Sequence, residues 1–211
     1  MNITIIGATG MVGSRIVAEA ADRGHDIIAA SRHPEHTPRP EVHPLAIDAS
    51  RSQDLDRALR GADAAVLTVR ATPGQTQQFL SITEEVLQAT AHARVPLLIV
   101  GGAGPLRSPN RADILVVDDP EFVAAEWKEL AAASVAQLDV CRNLGGDHWT
   151  YLSPPAVLEP GNRLGEYQRG TTALLIGADG QARISAEDLA AAVIDELESP
   201  EGDRHFTVAR V

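Results

Sequence analysis

The chain has 211 residues, of which 44% are apolar, 22% charged and only 3% aromatic. That is enough for one sizeable domain and short for two, and it is unlike a disordered or fibrous chain. A net charge of -11 argues against nucleic-acid binding through a broad basic face, so an anionic ligand has to be held by a local site.

Ile3, Ile5 and Ile6 form a short β-branched run, which predicts a buried strand. The phrase GATGMVG follows, Gly7 to Gly13, and after it Val12, Ile16, Val17 and Ala20 recur at helical spacing up to Gly24. DIIAAS, Asp26 to Ser31, predicts a second strand. VHPLAI predicts a third, DLDRALRG a helix ended by Gly61, and ADAAVLTV a fourth strand. A long helix is expected from about Thr76 to His92, then PLLIVGG as a strand, then a small hairpin around Ser108 to Val117. A second long helix is expected from about Glu121 to Cys141, followed by WTYLS (Trp149 to Ser153) as the sixth strand. Glu187 to Glu198 predicts a helix with Ser185 as N-cap, and HFTVARV closes the chain as a strand.

Strands alternating with helices predict a parallel sheet covered on both faces, an α/β Rossmann-type doubly wound fold in a single domain spanning 1–211. The loop-rich stretch Ser153 to Gly170 follows the carboxyl end of a strand, where open α/β sheets bind ligands, and a small substrate-side region is expected at about 154–180. Cys141 is the one cysteine, so no internal disulfide can form, and a buried apolar role is expected for it. Met1 leads directly into the first strand, and no apolar run approaches the roughly 18 residues that span a bilayer. A cytoplasmic protein without membrane contact is expected.

The glycines have a physical use. Gly7 lets the chain turn off the strand, Gly10 leaves no side chain between backbone and phosphate, and Gly13 allows the helix to lie tightly on the sheet. The N–H groups and dipole of the first helical turn then face a pyrophosphate. The phrase sits between a strand and a helix in a βαβ unit of about 30 residues, as dinucleotide binding requires.

The spacing GxxGxxG, reading GATGxxG, resembles the extended and atypical short-chain dehydrogenase/reductases. DAS at Asp48 to Ser50 looks like the family's phrase that contacts adenine. ISAEDLAAAVIDELESP is similar to the last helix of NmrA-like and biliverdin-reductase-B-like (flavin reductase) members, and WTYLSPPAVLEPG to their sixth strand and nicotinamide-facing Pro-Pro turn. The resemblance covers nearly the whole chain and implies a nicotinamide cofactor. It places cofactor-binding residues at Gly7, Ala8, Thr9, Gly10, Met11, Val12 and Gly13, at Asp48 and Ala49, at Gly101, and at Ser153, Pro154 and Pro155.

The second strand ends at Ser31 and Arg32, where a hydroxyl and a guanidinium could hold a 2′-phosphate. Asp26 lies at the wrong end of the strand to serve a ribose. NADP(H) is therefore expected over NAD(H), the alternative being that Arg32 is a solvated loop residue and either cofactor is accepted. Thr68, Val69 and Arg70 should pass beneath the cofactor, with Arg70 on a phosphate or in a surface salt bridge.

The family's Tyr-x-x-x-Lys pair is absent by counting. Lys128 is the one lysine, and both tyrosines, Tyr151 and Tyr167, come after it. Phe122 and Glu126 hold that spacing instead, GGAGPL stands where the serine is usual, and Ala156 stands where some members carry His. Two readings follow. One is a reductase whose small conjugated acceptor, of flavin or quinone type, needs no protein acid. The other is a non-catalytic NADP(H)-binding redox sensor with a protein partner, as NmrA-like proteins are thought to be. A sugar epimerase or dehydratase is a third reading, which the missing pair opposes. The catalytic residue is unknown. Tyr167 is a candidate as proton donor or stacking platform, unless it only covers a β-hairpin. Lys128 is a candidate for orienting ribose or substrate, unless it lies on a solvated helix face. His33, His36 and His43 match no standard metal spacing, and no metal is expected. The oligomeric state, monomer or homodimer, is open.

Overall fold

The structure is a computed structural model that describes residues 1–144 and 146–211. Strand β1 (Asn2–Ile6) leads through the glycine turn into helix α1 (Met11–Asp22), and β2 (Asp26–Ser31) and β3 (Val42–Ala46) follow. Helix α2 (Ser52–Ala58), β4 (Ala64–Leu67), α3 (Thr76–Ala93) and β5 (Leu97–Val100) continue the alternation. Then come α4 (Lys128–Leu144), β6 (Trp149–Ser153), β7 (Val157–Glu159) and β8 (Tyr167–Gly170), and last β9 (Arg183–Ser185), α5 (Ala186–Glu198) and β10 (His205–Arg210).

Eight strands form one sheet in the order β3-β2-β1-β4-β5-β6-β10-β8, parallel throughout except that β8 pairs antiparallel with β10. Period-two alternation sorts the side chains. Ile3 and Ile5 face α1 and α5, joining Ile16, Leu189 and Val193 in one core. Ile6, Leu67, Ile99 and Tyr151 face the other way, against Leu55, Val86, Leu87, Leu138 and Cys141 of α2, α3 and α4. Burial of strands on both faces explains their near-continuous apolar runs. The chain passes outward through β2 and β3 and resumes on the other side of β1 with β4, so the order reverses between β1 and β4. A crevice opens at such a reversal, beyond the carboxyl ends of the strands.

Two expected elements differ. The helix expected from Glu121 begins at Lys128, after a 3₁₀ turn at Ala125–Trp127. Asp119 holds the preceding turn, its carboxylate taking the Glu121 N–H at 3.1 Å and its carbonyl the Phe122 and Val123 N–H groups at 3.1 and 2.9 Å. Ala124 is then extended (φ -64°, ψ 156°), so no helix can run through it. The hairpin expected at Ser108 to Val117 is one bridge, Arg107 to Leu115. The Ser108 N–H pairs across it to the Ile114 carbonyl at 3.0 Å, while its hydroxyl donates to Asp119 at 2.7 Å. Ser185 caps α5 as expected, accepting the Asp188 N–H at 3.0 Å. Asp188 and Glu187 in turn bind the loop after β7, through the N–H groups of Leu164 and Gly165 (2.7 and 2.8 Å) and of Gly161 (2.7 Å). These bonds fix the stretch that follows the Pro154-Pro155 turn.

Candidate active site

The turn after β1 is built around one carbonyl. Gly7 has φ +93°, a conformation open to glycine. A Cβ at Gly13 would lie 2.2 Å from the Gly7 oxygen, so only glycine lets α1 start this close to the strand. The Thr68 hydroxyl, at the end of β4, sits 3.1 Å from both the Ile6 and Gly7 carbonyl oxygens and closes the turn from below. Gly10 is the N-cap of α1 with no side-chain cap, and the first turn carries no acidic residue. Its N–H groups and dipole therefore remain available to an anion.

This turn is part of a cleft of about 940 Å³ at the carboxyl ends of β1 to β6. Gly7, Thr9, Gly10, Met11 and Val12 line it from the glycine turn. Ser31, Arg32, Asp48, Ala49, Thr68, Val69, Arg70, Gly101, Pro154 and Pro155 line it from the strand ends. The sheet thus brings together residues spread over most of the chain. Ala8 and Gly13 are not lining residues but hold the turn from behind. Ser153 is fully buried and faces away, its hydroxyl 2.9 Å from His205 Nε2. It shares a strand face with Tyr151, and that face looks toward α4 rather than the cleft.

At the end of β2 the buried Ser31 hydroxyl has no hydrogen-bond partner, and Arg32 beside it is exposed. His33 extends this rim. Asp48 accepts from the Ser50 hydroxyl (2.7 Å) and N–H (3.0 Å), which hold its carboxyl below the usual carboxylate range.

The end of the cleft beyond β5 and β6 is of a different kind. A Cβ at Gly101 would meet Tyr151 Oη at 1.9 Å, and one at Gly104 the Ala131 oxygen at 2.3 Å, so the segment is bare by necessity. Tyr151 is fully buried, with its hydroxyl 3.0 Å from both the Ser134 carbonyl and Gln137 Oε1, and burial pushes its phenol far up. It therefore supports the floor and does not exchange protons there. Phe122, Val123, Trp127 and Leu130 line this end together with Pro155, Ala156 and Val157, and Phe122, Val123 and Ala156 pack on one apolar cluster with Leu106 and Val116.

Neither Tyr167 nor Lys128 lines the cleft. Tyr167 lies on β8 near the sheet edge, and its hydroxyl donates to Asp195 at 2.5 Å. Burial first, and then that bond, raise its pKa. Its strand pairs with β10 rather than in a local hairpin. Lys128 is exposed and paired with Asp118 at 3.5 Å. Of the region expected on the substrate side, residues 154–159 line the cleft and 160–180 do not.

Several lining residues escaped sequence reasoning. Gln75, Gln78 and Phe79 open α3. Their signal was available, since a helix following an inner strand presents its first turn to the same crevice. Phe122 and Val123 were hidden by the helix expected over them.

A model of the NAD(P)H-binding family matches residues 7–200. The uncharacterized protein YwnB of Bacillus subtilis (strain 168) is 35% identical over 213 residues, covering 99% of this chain and 98% of that protein. Among solved structures, a "putative exported protein" from Burkholderia pseudomallei is 32% identical with a TM-score of 0.86, with 99% of each chain covered. A "putative NADH-flavin reductase" from Streptococcus pneumoniae TIGR4 is 27% identical with a TM-score of 0.88, with 100% of each chain covered.

Proposed function

The chain belongs to the NAD(P)H-binding family, and on that premise we propose that it is a nicotinamide-dependent reductase of a small conjugated acceptor, of flavin or quinone type. NADP(H) is the preferred cofactor over NAD(H). The observation that carries this reading is the bare far end of the cleft, lined by Gly101, Gly102 and Gly104 and by Phe122, Val123 and Trp127, with no Tyr, Lys or His. The resemblance of sequence to a protein named for NADH-flavin reduction points the same way.

The residues fit the cofactor. Glycine at 7, 10 and 13 keeps the turn free of side chains, and α1 offers an anion the N–H groups of its uncapped first turn. Ser31 has a hydroxyl without a partner, beside the guanidinium of Arg32, which suits a 2′-phosphate. When bound, the nicotinamide supplies a hydride donor. The chain's own part is to orient and to exclude water. Thr68 fixes the turn, Tyr151 supports the floor under Gly101, and the apolar lining holds a flat acceptor in place. The polar side chains lining that end are already engaged, Ser134 donating to the Ala131 carbonyl at 2.7 Å and Gln137 to the Thr83 hydroxyl at 3.1 Å, so the acceptor takes its proton from water. An aldehyde, whose reduction builds charge on one oxygen, would lack the donor it needs.

A cytoplasmic setting belongs to the same proposal. It is supported by the single, buried Cys141, while one similar structure is named as an exported protein. No helix among the described residues is long and apolar enough to cross a membrane.

The test is NADPH oxidation against flavins, quinones and simple aldehydes, with cofactor binding measured by titration. Turnover of flavin or quinone without turnover of aldehyde is expected. Tight NADPH binding with no turnover would favour the non-catalytic redox sensor, and failure to bind either dinucleotide would overturn the reading.

A further inference from the structure

We infer that Trp127 is the platform on which the acceptor stacks, and that the acceptor ring system this site prefers carries no anionic group. The inference rests on the reductase reading above.

Aromatic residues make up only 3% of the chain, yet one of the two tryptophans is 55% exposed at the mouth of the cleft, while Trp149 is 7% exposed. Trp127 ends the 3₁₀ turn that runs directly into α4, with its N–H bonded to the Ala124 carbonyl at 2.9 Å, so its backbone is fixed. Among the described residues, no other aromatic ring and no cation lies on the indole. Pro155, Ala156 and the exposed Val157 line the same cleft. A large, rigid, flat face left open in an apolar lining gains most when a flat ligand covers it.

Charge narrows the ligand further. The cations lining the cleft are Arg32 after β2 and Arg70 after β4. The segments after β5 and β6, and residues 122–137, contribute none. The one charged residue they place in the lining is the carboxylate of Glu159. Lys128, next to Trp127, is engaged with Asp118 outside. A phosphate or carboxylate on the acceptor would thus meet a carboxylate and an acidic protein, the lining arginines being contributed from the ends of β2 and β4 instead.

Riboflavin and FMN share one ring system and differ by a phosphate, which makes them the probe pair. Rates with both, and with a neutral naphthoquinone, are measured for wild type, Trp127→Ala, Trp127→Leu and Trp127→Phe, with NADPH affinity measured alongside. Riboflavin should exceed FMN in kcat/KM by about tenfold at low salt, the gap narrowing as salt is added. Trp127→Ala and Trp127→Leu should raise the acceptor KM about tenfold while kcat and NADPH affinity hold within about twofold, and Trp127→Phe should restore most of the loss. The leucine variant keeps apolar bulk without a flat ring, so it answers the question even where alanine disturbs the turn. FMN used as well as riboflavin, or an unchanged KM in both the alanine and leucine variants, would overturn the inference while leaving the reductase intact. So would loss of self-association with KM unchanged, which would make Trp127 a subunit contact. A protein that binds NADPH and turns over no acceptor would remove the reductase reading, and this inference with it.

Discussion

The phenol of Tyr151 occupies the space that a side chain at Gly101 would need. A Cβ at 101 would fall 1.9 Å from its oxygen and 2.0 Å from Cζ. Putting the short-chain family's serine there should therefore damage the fold rather than add a catalytic group. Gly101→Ser should cost about 3 kcal/mol, lowering Tm by roughly 6–12 °C in a thermal melt. An unchanged Tm would show that the floor yields.

The glycine turn should tolerate its two later positions unequally. A Cβ at Gly13 would stand 2.2 Å from the Gly7 oxygen, and one at Gly10 3.2 Å from the same atom. Gly13→Ala should lower stability by about 2 kcal/mol or more and weaken NADPH at least about tenfold. Gly10→Ala should leave the melt nearly unchanged. Calorimetric titration and melting of both variants check the order.

Cofactor choice should lie with Ser31 and Arg32. Arg32→Ala should weaken NADPH by roughly tenfold to hundredfold while NADH affinity changes by less than about twofold. Ser31→Ala should act in the same direction and less strongly. An unchanged NADPH-to-NADH ratio in Arg32→Ala would refute the NADP(H) preference.

His205 should make stability fall on the acid side of neutrality. Its imidazole is buried beside Ser153, with Nδ1 unpartnered, and burial pushes its pKa from 6.5 down to about 4. The unfolded chain takes up a proton near pH 6.5 that the folded chain refuses until about pH 4. Stability present above pH 6.5, roughly 3 kcal/mol, is then lost as pH falls toward 4. Urea denaturation across this range should show a shallower pH slope in His205→Gln than in wild type.

Tyr167→Phe separates catalysis from structure. Its hydroxyl is committed to Asp195 at 2.5 Å, outside the cleft. The variant should lose about 1 kcal/mol of stability and keep kcat and KM. A large fall in kcat would return Tyr167 to the reaction.

The doubly wound order could be read from the chain because apolar runs and turn glycines alternate cleanly, and β2 and β6 fall on the residues expected. The strand-end half of the cleft followed, since sheets of this kind bind beyond their carboxyl ends. The other half depends on loops folding back over the sheet. Phe122 and Val123 enter the cleft because Asp119 ties down the turn before them and holds Ser108, eleven residues away, a pairing that no local periodicity reports. Ser153, expected at the cofactor, directs its hydroxyl to His205 instead. It stands two residues after Tyr151 and so shares its strand face, Tyr151 reaching Gln137 of α4 and Ser153 reaching His205 of β10.

The glycine turn and Thr68 also bear on how such a sequence can change. The Thr68 hydroxyl, the Gly7 oxygen and the bare α-carbon of residue 13 fill a single space between them. Mutational drift at any one of the three meets the other two at once, so the path to an altered turn runs through intermediates worse than either end. Positions far apart in the chain are in this sense constrained as one unit.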